Sequence, residues 1–158
     1  MHYFQRLEVW QRSNGIFLNQ GKYDVEILKR FEMLYCKPMV SPMVSNLKLL
    51  QDTTSEIVDS TLYRQIVGSL MYLTNTRLDI CFDVNTLSQH LQQPRQVYLV
   101  AVKHMLRYLK GTLDHGLWYR SNHEFGLYGY SDSNWAGSIP DWKRTSRYCF
   151  SLGSSMIL

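Results

Sequence analysis

The apolar residues of this chain change their period twice, and that restricts the folds open to it. They alternate up to about Gln20, recur every three to four residues from Tyr23 to Leu109, and alternate again after Gly111. Alternation marks strands with one buried face, and the longer spacing marks amphipathic helices. Strands, then a run of helices, then strands again predict an α+β chain.

The first stretch, Phe4 to Gln20, reads as a β-hairpin. Leu7 and Val9 lie on one arm, Ile16 and Leu18 on the other, and Ser13-Asn14-Gly15 supplies the Asn-Gly pair of a tight primed turn. A helix follows Gly21-Lys22 with Tyr23, Ile27, Leu28, Phe31 and Leu34 on one face, until Lys37-Pro38 and Ser41-Pro42 stop it. Asn46 to Asp59 is polar and reads as a surface loop. Tyr63, Val67, Leu70 and Met71 form the next helical stripe, broken at Thr74-Asn75-Thr76. Ile80, Val84, Leu87 and Leu91 form another, with Asp79 near its start. Pro94 opens a further helix that runs to about Lys110 and ends at Gly111. Its apolar face is Tyr98, Val102, Met105, Leu106 and Leu109, and its opposite face carries Lys103, Arg107 and Lys110. Beyond it, Leu117-Trp118-Tyr119 reads as a strand, Ser121-Asn122 as a turn, and Phe125 to Tyr130 as that strand's partner. Tyr148 to Leu152 is a third strand closed by Gly153, and a boundary falls near Leu113 to Gly116.

Of the 158 residues, 45% are hydrophobic and 13% aromatic, enough to build a core. The apolar stretches are far too short to span a membrane, and Met1 to Arg6 has neither the charged start nor the apolar centre of a signal peptide. An intracellular chain, in cytoplasm or nucleus, is the expectation. Cys36, Cys81 and Cys149 form no C-x-x-C pair and read as reduced thiols, and the histidines supply no zinc spacing. Residues 1–60 hold seven Lys/Arg and seven Asp/Glu, so the whole excess of +4 lies in residues 61–158. A basic half suits a polyanion such as nucleic acid, or is simply a solvated surface. Lys103, Arg107 and Lys110 are the candidate phosphate contacts, at even odds with an exposed helix face. Trp10, Trp118, Trp135 and Trp142 could stack on bases, although core packing is the reading preferred for Trp118 and Trp135.

Asp132 is the candidate for metal chemistry. The run Phe125-Gly126-Leu127-Tyr128-Gly129-Tyr130 delivers its carboxylate to the end of a strand. Two-metal phosphodiester cleavage needs several carboxylates converging from different elements, yet only Asp141 follows, in the loop-like Ile139-Pro140-Asp141-Trp142.

Five ordered blocks carry a resemblance. Tyr63-Arg64-Gln65-Ile66-Val67-Gly68-Ser69-Leu70-Met71-Tyr72-Leu73, Thr76-Arg77-Leu78-Asp79-Ile80, and Ala101 to Thr112 (AVKHMLRYLKGT) are the first three. Asp132-Ser133-Asn134-Trp135-Ala136-Gly137 and Thr145-Ser146-Arg147-Tyr148-Cys149-Phe150-Ser151-Leu152-Gly153 complete them. Together with His2-Tyr3-Phe4-Gln5-Arg6-Leu7-Glu8-Val9, they resemble the Pol polyprotein of Ty1/copia-type LTR retrotransposons over nearly the whole chain.

The resemblance implies that residues 1–112 are the C-terminal part of a reverse transcriptase: a primer-grip hairpin, then thumb- or connection-like helices. It implies that residues 116–158 begin an RNase-H-like sheet, incomplete here, with Asp132 as the first metal ligand and Mg²⁺ as the metal of the intact enzyme. The polymerase's Asp-Asp pair is missing, and the later RNase H ligands of the family lie beyond Leu158. The expectation is therefore a chain that catalyses neither polymerisation nor hybrid cleavage alone. Its expected partners are an RNA–DNA hybrid or other nucleic acid, and the remaining Pol segments. The alternative is a nucleic-acid-binding or structural interaction module without catalysis. Six positions depart from the family pattern: Gln5-Arg6 for Leu-Gly, Leu78 for Pro, Asp83 for a small residue, Asn134 for Asp and Arg147 for Gly.

Overall fold

The computed structural model describes residues 2–43, 55–121, 126–134, 145–153 and 155–157. Most of the expected 46–59 loop, Asn122, Phe125, Trp135 to Gly137, Asp141 and Trp142 lie outside the described residues.

The chain opens as a meander. Strand β1 (His2–Phe4) pairs antiparallel with β2 (Leu7–Arg12), and β2 with β3 (Gly15–Asn19). The second hairpin differs from expectation by one residue. Arg12 pairs with Gly15, so the loop is Ser13-Asn14 and Gly15 begins the strand. Gly15 has φ +152°, and a Cβ there would collide with the carbonyl of Tyr119. Close approach of the next strand therefore requires the glycine. That next strand is β4 (Gly116–Arg120), which completes the order β1-β2-β3-β4. The sequence reading paired Leu117-Trp118-Tyr119 with Phe125 to Tyr130. The structure corrects this, because the chain returns after its helices to the edge of the first sheet.

Four α-helices lie between β3 and β4 among the described residues. Helix α1 (Gly21–Arg30) ends before Phe31 and Leu34, which pack against the core from the turns beyond it. Helix α2 (Ser60–Leu73) is capped by Asp59, whose carboxylate accepts from the Thr61 amide at 2.8 Å. Its buried stripe is Tyr63, Ile66, Val67, Leu70 and Leu73, while Met71 points outward with 45% exposed. A 3₁₀ turn (Leu78–Ile80) leads into α3 (Cys81–Ser88). Helix α4 (Gln96–Gly111) starts two residues after Pro94. The Pro94 carbonyl accepts from Val58 N at 2.9 Å and Gln96 N donates to Glu56 O at 2.8 Å, which holds this stretch extended. The expected apolar face of α4 is buried throughout, and with Ile27, Leu28, Tyr63 and Leu70 it forms the core.

A second antiparallel sheet follows, β5 (Leu127–Asn134), β6 (Thr145–Leu152) and β7 (Ser155–Ile157), in that order. The Ser155 hydroxyl donates to the Trp118 carbonyl and ties β7 to β4. The chain is thus mixed α and β with antiparallel sheets. No helix among the described residues is long and apolar enough to cross a membrane.

Candidate nucleic-acid interface

Residues three and four apart on a helix share a face, so Lys103, Arg107 and Lys110 form one line along α4. Lys103 is exposed, and Arg107 and Lys110 are half-buried. A strap of extended chain explains the difference. Arg107 Nε donates to Lys37 O at 2.8 Å, Met39 N donates to Arg107 O at 3.2 Å, and His104 Nε2 lies 3.0 Å from Ser41 O. Gly111 lets Pro38 pack closely at the helix end. Arg107 therefore anchors residues 37–41 with one of its five N–H donors, and its cation stays on the same face as the two lysines.

In the first sheet, the turn between β1 and β2 is held against the helices. Gln5 and Arg6 adopt φ of 46° and 64°, the left-handed region that glycine enters without strain. The Arg6 guanidinium sits 4.6 Å from the Tyr23 ring centroid and 5.9 Å from that of Tyr72, and lies 3.9 Å from Glu26. The Tyr72 hydroxyl donates to Gln5 O at 2.6 Å. Contacts on both turn residues offset the backbone cost that a glycine would have avoided.

Asp132 lies in β5 opposite Arg147 of β6, with Ser131 opposite Tyr148 and Ser133 opposite Ser146. No second carboxylate stands on β5, β6 or β7. A single carboxylate among the three strands does not fit Mg²⁺, a hard cation that takes several oxygen ligands. Among the described residues, no group of three His, Cys, Asp or Glu is placed to hold a metal.

Nearly the whole of this sequence has counterparts among known proteins. A retrovirus-related Pol polyprotein from transposon RE2 of Arabidopsis thaliana is 40% identical over 153 residues, covering 97% of this chain and 10% of the relative. The Pol polyprotein from transposon TNT 1-94 of Nicotiana tabacum is 34% identical over 152 residues, covering 92% of this chain and 11% of the relative. The chain belongs to the Pol polyproteins of copia-type retrotransposons. An uncharacterised mitochondrial protein of Arabidopsis thaliana is also similar, 38% identical over 158 residues and covering 99% of this chain and 65% of the relative. No protein-family model and no solved structure matches. The chain spans about a tenth of the length of the Pol polyproteins it matches.

In this copia-type Pol chain, two of the sequence blocks meet in space at a charge cluster that sequence reasoning missed. Arg77 of Thr76-Arg77-Leu78-Asp79 is 1% exposed. It grips Asp79 with both ends of its fork, Nε to Oδ1 at 3.0 Å and Nη2 to Oδ2 at 2.8 Å. It also donates to the carbonyl and hydroxyl of Thr112, at 3.1 and 2.7 Å. Tyr108, one turn earlier on α4, donates its hydroxyl to Asp79 Oδ2 at 2.8 Å. Burial works to raise the Asp79 carboxyl's pKa, but the Arg77 fork and the Tyr108 hydroxyl outweigh it and hold it below the usual value.

Asp24 of α1 completes the cluster. Its Oδ2 lies 3.7 Å from Arg77 Nη1, and neither of its oxygens has a hydrogen-bond partner among the described residues. Burial pushes its carboxyl up to about 7, against the pull of Arg77 and with help from the negative charges of Asp79 and Glu8. The cluster clamps α1, the 3₁₀ turn and α4 together. Asp79 also opens, with Asp114 and His115, onto a cleft of about 370 Å³.

Proposed function

We propose that residues 1–112 are the C-terminal part of a copia-type reverse transcriptase and that residues 116–158 open an RNase-H-like domain. In the intact polyprotein such segments serve RNA-directed DNA synthesis and removal of the RNA strand. This stretch binds and positions the polynucleotide and does not itself cut or extend it. Mg²⁺ belongs to the catalytic steps of the intact polyprotein, and no step here is assigned to it.

The observation that carries this reading is the co-linear match. It runs from the first hairpin to the last strand, with the family's blocks on α2, the 3₁₀ turn, α4, β5 and β6. The division of labour is supported by what the carboxylates do. Asp24 and Asp79 lie against Arg77, and no second carboxylate stands beside Asp132 on β5, β6 or β7. The basic line on α4 supports hybrid binding, since lysine and arginine that neutralise phosphates supply sequence-independent affinity.

The test is to offer the purified chain a labelled RNA–DNA hybrid and a primed template with Mg²⁺ or Mn²⁺. Binding without cleavage or extension is expected. Cleavage that disappears in Asp132→Asn would contradict the reading.

A further inference from the structure

One rank of the first sheet is aromatic on three adjacent strands. Trp10 of β2 pairs with Phe17 of β3, and Phe17 pairs with Trp118 of β4. Directly paired residues of antiparallel strands share a face, so the three rings stand side by side. The centroids of Phe17 and Trp118 are 6.0 Å apart with planes tilted by 40°. Trp10 keeps 39% of its surface exposed.

The neighbouring ranks give this row a direction. On one side stand Glu8 and Asn19, both buried. On the other stand Arg12, Gly15 and Arg120. Two steps along a strand restore the same face, so both arginines share the face of the rings. Both are exposed, and two strand spacings place them about 10 Å apart at Cα. Gly15 adds no side chain between them. A row that served only as core would be buried and would continue into apolar neighbours. This one is open at Trp10 and continues into two cations. Bases stack on such rings whatever their identity, and arginine forks take the phosphates that join them.

We propose that the Trp10–Phe17–Trp118 rank, with Arg12 and Arg120, binds single-stranded nucleic acid. The proposal rests on the polynucleotide-handling reading above. It assigns that reading a second surface, separate from α4 and selective for unpaired bases.

The experiment is fluorescence anisotropy of the full chain with a labelled oligodeoxythymidine and, separately, with an RNA–DNA hybrid of the same length. Trp10→Leu keeps bulk on the sheet without a ring face and should weaken single-strand binding roughly five- to hundredfold, and hybrid binding by much less. Trp10→Tyr keeps a stackable ring and should bind as the unmodified chain does, which separates stacking from misfolding. Arg12→Ala and Arg120→Ala should each flatten the salt dependence of single-strand binding by about 0.7 in log–log slope. Equal single-strand affinity in Trp10→Leu and the unmodified chain overturns the proposal. Single-strand binding lost only when Lys103, Arg107 and Lys110 are replaced overturns it too. Hybrid binding with no single-strand binding sinks this proposal alone, and binding of neither sinks the reading beneath it as well. Self-association that Trp10→Leu abolishes, with no oligonucleotide bound, would assign the rank to a protein interface instead.

Discussion

A guanidinium with 1% of its surface exposed must have its charge met inside the protein, and Arg77 finds both Asp79 and Asp24 there. Removing one member of a buried ion pair strands the other, at a cost of about 3–5 kcal/mol. Arg77→Ala is therefore expected to lose stability on that scale in urea denaturation, and a loss below 1 kcal/mol would mean that water already reaches the cluster. Asp24 should behave in the opposite sense. Its folded-state pKa of about 7 lies above the ordinary, unfolded-chain value of 3.8, so the folded chain holds a proton that the unfolded chain has released between those two values. Stability then falls as pH rises from about 4 to 7, and the penalty is complete above 7. Asp24→Asn should match the unmodified chain at pH 4 and exceed it at pH 8. A stability gap that does not change with pH would show that Asp24 does not titrate in this window. None of this was legible in the sequence. Thr76-Arg77-Leu78-Asp79 could be matched to a family, but no local pattern says that an arginine is buried or that Thr112 and Asp24 will meet it.

At the scale of elements, local period was a good guide and distant pairing was not. The β2–β3 hairpin, the helical stripes and the β6 strand all follow from apolar spacing. The partner of β4 does not, because β3 and β4 lie on opposite sides of all four helices in the chain. Strands β1 and β7 have three residues each, too few to show a period. The β1–β2 turn tests a subtler balance. Arg6→Gly relieves the left-handed backbone and loses the aromatic contacts, whereas Arg6→Ala loses the contacts and keeps the strain. The alanine variant should be less stable by about 1 kcal/mol. Equal stabilities would mean that the turn rearranges. The second sheet should be the softer element. Leu127 and Tyr128 are neighbours on opposite faces of β5, and they are 65% and 57% exposed, so neither face of the strand is covered there. Leu70 and Leu73 of α2 are fully buried. Amide exchange should be faster for Leu127 to Tyr130 than for Leu70 to Leu73, and equal protection would argue for a sheet as stable as the helical core.

For the whole molecule, the proposed division of labour gives binding and positioning to this stretch and catalysis to the intact polyprotein. The basic excess, the line of Lys103, Arg107 and Lys110, and the strap tied down by Arg107 place a cationic surface on the outer side of the helical core. Binding by such a surface depends on counterion release, which leaves a signature no hydrophobic contact can imitate. The decisive measurement is the affinity of the chain for an RNA–DNA hybrid across a range of salt concentrations, with and without alanine at Lys103, Arg107 and Lys110. A steep fall of log affinity with log salt is expected, with a slope flattened by about 2–3 in the triple variant. A steep slope that is unchanged in the triple variant, or no hybrid binding at low salt, would contradict it.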